Sequence, residues 1–133
     1  MSRLINPGPG DLSDRLSILA LKILFGTEAA KDTKHWETER TVLLSKIRAL
    51  TLNGAWFDAY TELAAVNAAL WHAEDDLREI RNGPAFIGMR PVSELSETVA
   101  ELAFRIQVLN DRRADLIGRI NKDAGDDRGE EKL

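Results

Sequence analysis

Apolar residues recur along most of the chain at steps of three and four, which is the period of an α-helix. The pattern is clearest between residues 60 and 80, where one face carries Tyr60, Leu63, Ala64, Leu70, Trp71, Leu77 and Ile80. Asn67 and Glu74 lie on the same face and interrupt it. Burying a carboxylate is costly unless a cation pairs with it or a proton neutralises it. We therefore expect an inward-facing partner for Glu74.

The same period predicts four helices in all, at residues 12–25, 34–52 and 55–81 and from the N-cap Ser93 to about residue 122. We expect Asp11 to be the N-cap of the first helix, Asp14 to be the acid of its capping box, and Gly26 to end it. Residues 1–10 are rich in Pro and Gly and predict a non-helical lead. Gly-containing turn signals separate the second helix from the third and the third from the fourth.

The first helix is apolar on more than one side. One stripe consists of Leu12, Leu16, Leu19 and Ile23, and a second consists of Ile18, Leu21 and Phe25. A helix with this pattern is central in its fold or lies in an oligomer interface. One short domain cannot easily cover both stripes and also bury three tryptophans. We therefore expect a homodimer.

No segment shows the alternation of a β-strand. Four helices with short connections predict an all-α fold, an antiparallel four-helix bundle of long helices. We expect a single helical domain over residues 1–124 and a disordered acidic tail over residues 125–133. The loop before the fourth helix carries Phe86, Ile87 and Met89, which we expect to cap one end of the bundle, with a lid as the alternative.

Equal rise along antiparallel helices sets which residues share a level in such a bundle. This places Arg113 near the level of Asp14, and Glu74 near that of Lys22 and Arg105. We predict that Glu74 is at least half buried and within salt-bridge reach of Lys22 or Arg105, with Arg113 as the third choice of partner.

Composition narrows the classes of function. The 133 residues carry a net charge of -4 with both signs abundant, so no basic excess points to nucleic acid or to a membrane surface. Without cysteine, disulfides and thiolate chemistry are excluded. No signal peptide and no run of eighteen apolar residues is recognisable, so the expected location is the cytoplasm.

Metal chemistry finds little support in the spacing of the acidic and histidine residues. Di-iron bundles need paired Glu-x-x-His motifs, and neither His35 nor His72 belongs to one. The Glu-Glu-x-x-Glu run of helical magnesium-dependent nucleotide pyrophosphatases is missing as well. We therefore expect no metal and no cofactor.

A bundle of this kind resembles chorismate mutase in one respect, because basic side chains in its core would hold a dianion and act by positioning and electrostatics. The basic side chains in question are Arg15, Lys22, Arg105 and Arg113, with Glu74 beside them. The competing interpretation, which we favour, is a set of buried ion pairs that fixes the register of the helices.

Three short motifs resemble an uncharacterised bacterial family of small helical proteins of unknown function. The family opens with Pro-Gly-Glu-Leu-x-Asp-Lys, which reads Pro-Gly-Asp-Leu-Ser-Asp-Arg over residues 9–15. Its middle, Val-Asn-x-x-Leu-Trp-x-x-Glu-Asp-x-x-Arg, matches residues 66–78. Its last helix carries Asn-Asp-x-Arg-Ala and Ile-Asn, which match residues 110–114 and 120–121.

The resemblance implies that the polar members of these motifs form one signature, although it brings no activity with it. The sequence departs from the family at Ile117, where a basic residue is expected, and in its tail, which lacks the Ser-Tyr ending. Together, periodicity and resemblance give the candidate ligand-binding residues Arg15, Lys22, Asn67, Trp71, Glu74, Asp75, Arg78, Asn110, Asp111, Arg113 and Asn121.

Two classes of function fit these observations. We expect a non-enzymatic module that binds a protein partner or a small anionic ligand through a polar cluster inside the bundle. The alternative is an enzyme acting on an anionic metabolite or a nucleotide, either chorismate-mutase-like or magnesium-dependent. A pocket with unpaired Arg and Lys would favour a ligand or an enzyme, and fully paired charges would favour a scaffold.

Overall fold

A computed structural model describes residues 8–82 and 93–123 of the chain. Within these ranges the chain forms four helices and no strand, which confirms the predicted all-α four-helix bundle. The helices are α1 (Pro9–Glu28), α2 (Lys34–Arg48), α3 (Gly54–Asn82) and α4 (Ser93–Asp123). The predicted apolar cap, residues 86–89, and the predicted disordered tail, residues 125–133, lie outside the described residues.

Helix α1 begins three residues before the predicted start. Gly8 is the N-cap and Pro9 is the first helical residue, so the end of the Pro- and Gly-rich lead belongs to the first turn. Proline fits this position because its fixed φ is helical and the N–H that it lacks would have no partner in the helix. Asp11 is therefore not the N-cap. It lies in the first turn, where its Oδ2 accepts a hydrogen bond from the Gly8 N–H at 3.1 Å.

Gly26 does not end α1, which continues to Glu28. It is buried where α2 crosses the helix, and a Cβ at this position would lie 2.8 Å from the Trp36 ring and 2.9 Å from the Thr33 methyl group. A close approach of two helices, and not a helix stop, thus explains the glycine. The chain reverses after α1 through Ala30, which has a positive φ of 58°. Helix α2 ends at Arg48, four residues before its predicted end.

Helix α1 is the central helix, because it packs against each of the other three, whereas α2 packs against α1 alone. Its two apolar stripes therefore face different neighbours, as the double pattern predicted. Hydrogen bonds from Gly10 to Asn121 and from Arg113 to Asp14 show that α1 and α4 are antiparallel. Helices α3 and α4 form the most extensive pair, and Arg112 donates a hydrogen bond from its Nε to Glu62 across it at 2.7 Å.

The apolar core has two parts. Between α3 and α4 it consists of Ala59, Leu63, Val66, Leu70, Leu116 and Ile120. Between α1 and α2 it consists of Leu12, Leu19, Leu43 and Ile47. Trp56 packs against both parts and connects them. The polar residues Asp14, Ser17 and Asn67 are also buried and belong to neither apolar cluster.

Candidate functional site

The carboxylate of Asp14 is the centre of a buried polar network. Its exposed fraction is only 8%. Its Oδ1 accepts a hydrogen bond from Arg113 Nε at 2.9 Å, and its Oδ2 accepts one from Arg113 Nη2 at 2.6 Å. This two-point geometry is the strong form of an Arg–carboxylate pair. The prediction that Asp14 belongs to a capping box is therefore wrong, whereas the predicted shared level of Asp14 and Arg113 is confirmed.

Asn67 is the third member of the network and is 4% exposed. Its Nδ2 donates to Asp14 Oδ1 at 2.9 Å and to Ser17 Oγ at 2.6 Å. The hydroxyl of Ser17 in turn donates to the backbone carbonyl of Asp14 at 2.8 Å. Because an ionised carboxylate only accepts hydrogen bonds, the amide nitrogen of Asn67 must face Asp14. The amide oxygen points elsewhere, and no hydrogen bond from the described residues reaches it.

Further hydrogen bonds fix the first turn of α1 against the other helices. Ser13 Oγ donates to the Pro9 carbonyl at 2.7 Å and accepts from Trp56 Nε1 at 2.9 Å. The Gly10 N–H donates to Asn121 Oδ1 at 2.6 Å. A Cβ at Gly10 would overlap the carbonyl oxygen of Ile117, so the contact between α1 and α4 requires glycine. Asn121 is thus a structural contact at the start of α1.

A cleft of about 200 Å³ lies beside the network, between α1, α3 and α4. Its apolar wall consists of Ile18, Leu21, Leu70 and the ring of Trp71, and its polar groups belong to Asn67, Glu74, Asn110 and Arg113. The structure thus brings five of the predicted site residues to one place, namely Asn67, Trp71, Glu74, Asn110 and Arg113. They come from two of the three motifs that carry the family resemblance.

The charges around this cleft sum to a negative value. The hydrogen bond with Asp14 is the largest cause of a raised pKa of Arg113, and the negative charges of Asp14 and Glu74 raise it further, against the opposing effect of burial. Arg113 is therefore charged, and Asp14 neutralises it. Glu74 has no ion pair within the described part of the chain, so two carboxylates and one guanidinium leave one net negative charge.

The prediction for Glu74 itself is wrong. Its side chain is exposed, and none of Lys22, Arg105 and Arg113 forms an ion pair with it. Phe25 near the end of α1 stacks on Trp71 with ring centroids 5.2 Å apart, so α1 ends about one turn later along α3. Glu74 therefore lies at the level of the last turn of α1, where little covers it. Arg105 instead faces a separate open groove along α3 and α4, with Asp76, Glu79 and Glu101.

Other predicted site residues lie away from the cleft. Arg15 forms an ion pair with Glu39 of α2, with Nη2 and Oε2 2.7 Å apart. Asp75 and Arg78 pair with each other on the surface of α3 at 2.5 Å. Asp111 is exposed, and Lys22 does not line the cleft. The candidate cluster predicted from the sequence therefore separates into the cleft, surface ion pairs and the Asn121 contact.

Sequence reasoning missed the burial of Asp14, although the pattern contains a signal for it. Asp14 precedes Ile18, Leu21 and Phe25 at the spacing that continues the second apolar stripe of α1 toward its N-terminus. Ser17 follows Asp14 by about one helical turn and supplies a small hydroxyl group near it. A carboxylate on an apolar stripe, with an Arg at the same level, predicts a buried ion pair. The capping role expected for Asp14 did not take this pattern into account.

The fold and the site together define an all-α bundle with a charged pair, a buried amide and a cleft between three helices. Comparisons with protein-family models, with curated proteins and with solved structures found no match. The family resemblance of the motifs therefore stays a prediction. The described residues contain no group of three His, Cys, Asp or Glu side chains that could hold a metal ion. None of the described helices is long and apolar enough to span a membrane.

Proposed function

We propose that this protein is a non-enzymatic helical module that binds a small ligand in the cleft between α1, α3 and α4. The observation that carries the proposal is the amide oxygen of Asn67, which is buried at the cleft without a hydrogen-bond donor from the described residues. Leaving a buried acceptor unpaired costs about 1–3 kcal/mol. A ligand that donates a hydrogen bond to this oxygen would remove that cost.

The composition of the cleft supports a binding role. Ligand sites combine an apolar wall with a few convergent polar groups, and this cleft has both. Its volume of about 200 Å³ lies below the range of roughly 300–1,000 Å³ that drug-sized ligands occupy. The ligand is therefore a small molecule that stays partly in contact with solvent.

The distribution of basic side chains favours this proposal over the enzyme acting on an anionic metabolite. Such a site needs unpaired cations, but Arg113 is paired with Asp14 and Arg15 is paired with Glu39. Lys22 is not part of the cleft wall. Arg105 lies in the open groove among acidic side chains. The four basic residues that the sequence suggested for a dianion therefore do not form a cluster.

A fragment screen by ligand-observed NMR tests the proposal. It compares the wild type with two variants, each of which replaces one leucine of α1 by tryptophan. Leu21→Trp fills the cleft, whereas Leu24→Trp changes a side chain that is 51% exposed on α1 and does not line it. We expect fragments that bind the wild type to be lost with Leu21→Trp and kept with Leu24→Trp, both variants remaining folded by circular dichroism. Fragments that bind all three proteins equally, or no fragments at all, would contradict the proposal.

We also propose that the protein is a homodimer through the outer face of α4. Phe104 and Val108 are 67% and 49% exposed and lie one turn apart on this face. Exposed apolar patches of this kind are typical of protein interfaces.

Sedimentation velocity over a dilution series tests this second proposal. We expect a dimer at micromolar concentration for the wild type and a monomer for Phe104→Glu. The matched control Thr61→Glu introduces the same charge at an exposed position of α3 and should remain dimeric. A wild type that sediments as a monomer throughout the series would refute the dimer.

A further inference from the structure

We propose that the ligand of this cleft is a short primary alkylammonium ion, bound by the amide oxygen of Asn67 and the carboxylate of Glu74. The inference rests on the proposed binding function and specifies the chemical class of its ligand. It also differs from the small anionic ligand that the sequence predicted, because the basic side chains on which that prediction depended are paired or lie elsewhere.

Two acceptors of the cleft have no hydrogen-bond donor among the described residues, namely the amide oxygen of Asn67 and the carboxylate of Glu74. Both amide hydrogens of Asn67 are used, by Asp14 Oδ1 and Ser17 Oγ, so only its oxygen is left for a ligand. Glu74 has no ion pair in residues 8–82 and 93–123 and lines the same cleft. An ammonium group has three donors and no acceptor, so each of these two oxygens can accept a hydrogen bond from it.

Charge selects the same class of ligand. The guanidinium of Arg113 directs its Nε and Nη2 to Asp14, which neutralises it. Glu74 then leaves the site with one net negative charge, counted over Asp14, Glu74 and Arg113. An anion would add to this net negative charge, whereas a cation of unit charge balances it. A primary amine carries this charge at neutral pH, since its pKa is about 10.

The remaining walls suit a short hydrocarbon chain. Ile18, Leu21, Leu70 and the ring of Trp71 line the cleft, and Leu70 among them is buried. One face of the Trp71 ring is covered by Phe25 at a centroid distance of 5.2 Å. An aromatic ring close to a bound cation adds a favourable cation–π interaction. The cleft therefore combines an apolar place for the chain with acceptors for the charged end.

Three probes of equal length separate the ligand classes, namely n-butylammonium, n-butanol and butyrate. Each is titrated into the full-length protein at neutral pH and fixed ionic strength, and binding is followed by heteronuclear NMR. We expect n-butylammonium to bind at least about tenfold more tightly than n-butanol, and butyrate to bind most weakly. The chemical-shift changes caused by n-butylammonium should centre on Asn67, Trp71 and Glu74.

Glu74→Gln tests the role of the carboxylate without endangering the fold, because Glu74 is exposed and has no ion pair in the described ranges. We expect this variant to lose most of the preference for n-butylammonium over n-butanol. Glu97→Gln makes the same change at an exposed position on α4 outside the cleft and should keep the preference.

The outcomes distinguish this inference from the proposed function on which it rests. If n-butanol or butyrate binds the cleft as well as n-butylammonium, or if Glu74→Gln keeps the preference, the ammonium inference is wrong and the binding function stands. If neither these probes nor the fragment screen gives a cleft binder that Leu21→Trp abolishes, the binding function fails, and this inference fails with it.

Discussion

Two carboxylates of the bundle, Asp14 and Glu74, have opposite surroundings. Asp14 is buried and accepts three hydrogen bonds, one from Asn67 and two from Arg113. Glu74 is exposed, and no ion pair holds it within the described residues. Both lie on faces that are otherwise apolar, so the pattern of a single helix does not distinguish them. The number of neighbouring helices at each level does.

The difference follows from the unequal lengths of the helices. Helix α1 has 20 residues, whereas α3 has 29 and α4 has 31. At about 1.5 Å per residue, α3 and α4 are roughly 15 Å longer than α1. At the level of Asp14 three helices surround the side chain, and beyond Trp71 α1 soon ends. The C-terminal half of α3 therefore has α4 as its main neighbour, and its acidic residues remain in water.

The largest expected effect separates the two carboxylates by stability. Asp14→Ala leaves a part-buried guanidinium and the amide of Asn67 without their acceptor. Breaking a buried ion pair costs about 3–5 kcal/mol, and we expect about 3 kcal/mol because Arg113 keeps some contact with solvent. Glu74→Ala should change the free energy of unfolding by less than about 0.5 kcal/mol, as exposed positions do. Urea unfolding of both variants measures the difference. Equal losses of stability would contradict the different surroundings described for Asp14 and Glu74.

The next effect tests how closely α1 approaches its neighbour at the buried end. Gly10→Ala places a Cβ against the backbone carbonyl of Ile117, which cannot rotate away, so the start of α1 must shift. We expect a loss of about 1–3 kcal/mol, which is typical of overpacking. Gly118→Ala is the matched control in α4, because a Cβ there meets nothing within 4 Å. The control should stabilise the protein by about 0.5–1 kcal/mol through helix propensity. Thermal unfolding of the two variants compares them directly, and a shift of the same sign would count against the packing described.

The sequence predicted the helices well and their relative positions only in part. Periodicity located all four helices and the shared level of Asp14 and Arg113, because that pair lies where α1 and α4 run side by side. It failed for Glu74, because equal rise fixes levels only after the register of the helices is known. The overhang of α3 beyond α1 depends on how Phe25 stacks on Trp71, which is a contact between distant residues. Likewise, a glycine that follows an apolar helical pattern is typical of a helix end. Only the position of Trp36 shows why residue 26 is glycine.

The smallest expected effect concerns pH and involves Tyr60, at the buried end of α3. Burial raises the pKa of this phenol above its ordinary value of 10, and its ring stacks on Trp56 with centroids 5.1 Å apart. Between the unfolded and folded pKa values the unfolded chain loses the phenolic proton and the folded chain keeps it. The unfolded state then binds fewer protons, so stability decreases as pH rises. The contribution of Tyr60 is complete below about pH 10 and is lost as pH rises through the folded pKa.

Tyr60→Phe removes the titrating group and keeps the ring that stacks on Trp56. The free energy of unfolding, measured from pH 8 to pH 11, should therefore decrease less steeply for the variant than for the wild type. Glu74→Gln removes an acid whose environment is open to solvent and should leave the alkaline slope unchanged. If Tyr60→Phe follows the wild-type curve throughout this range, the phenol titrates equally in both states. Tyr60 would then be solvated in the folded protein, as Glu74 is. The buried part of α3 would not include the Tyr60 hydroxyl, contrary to what the packing of Trp56 indicates.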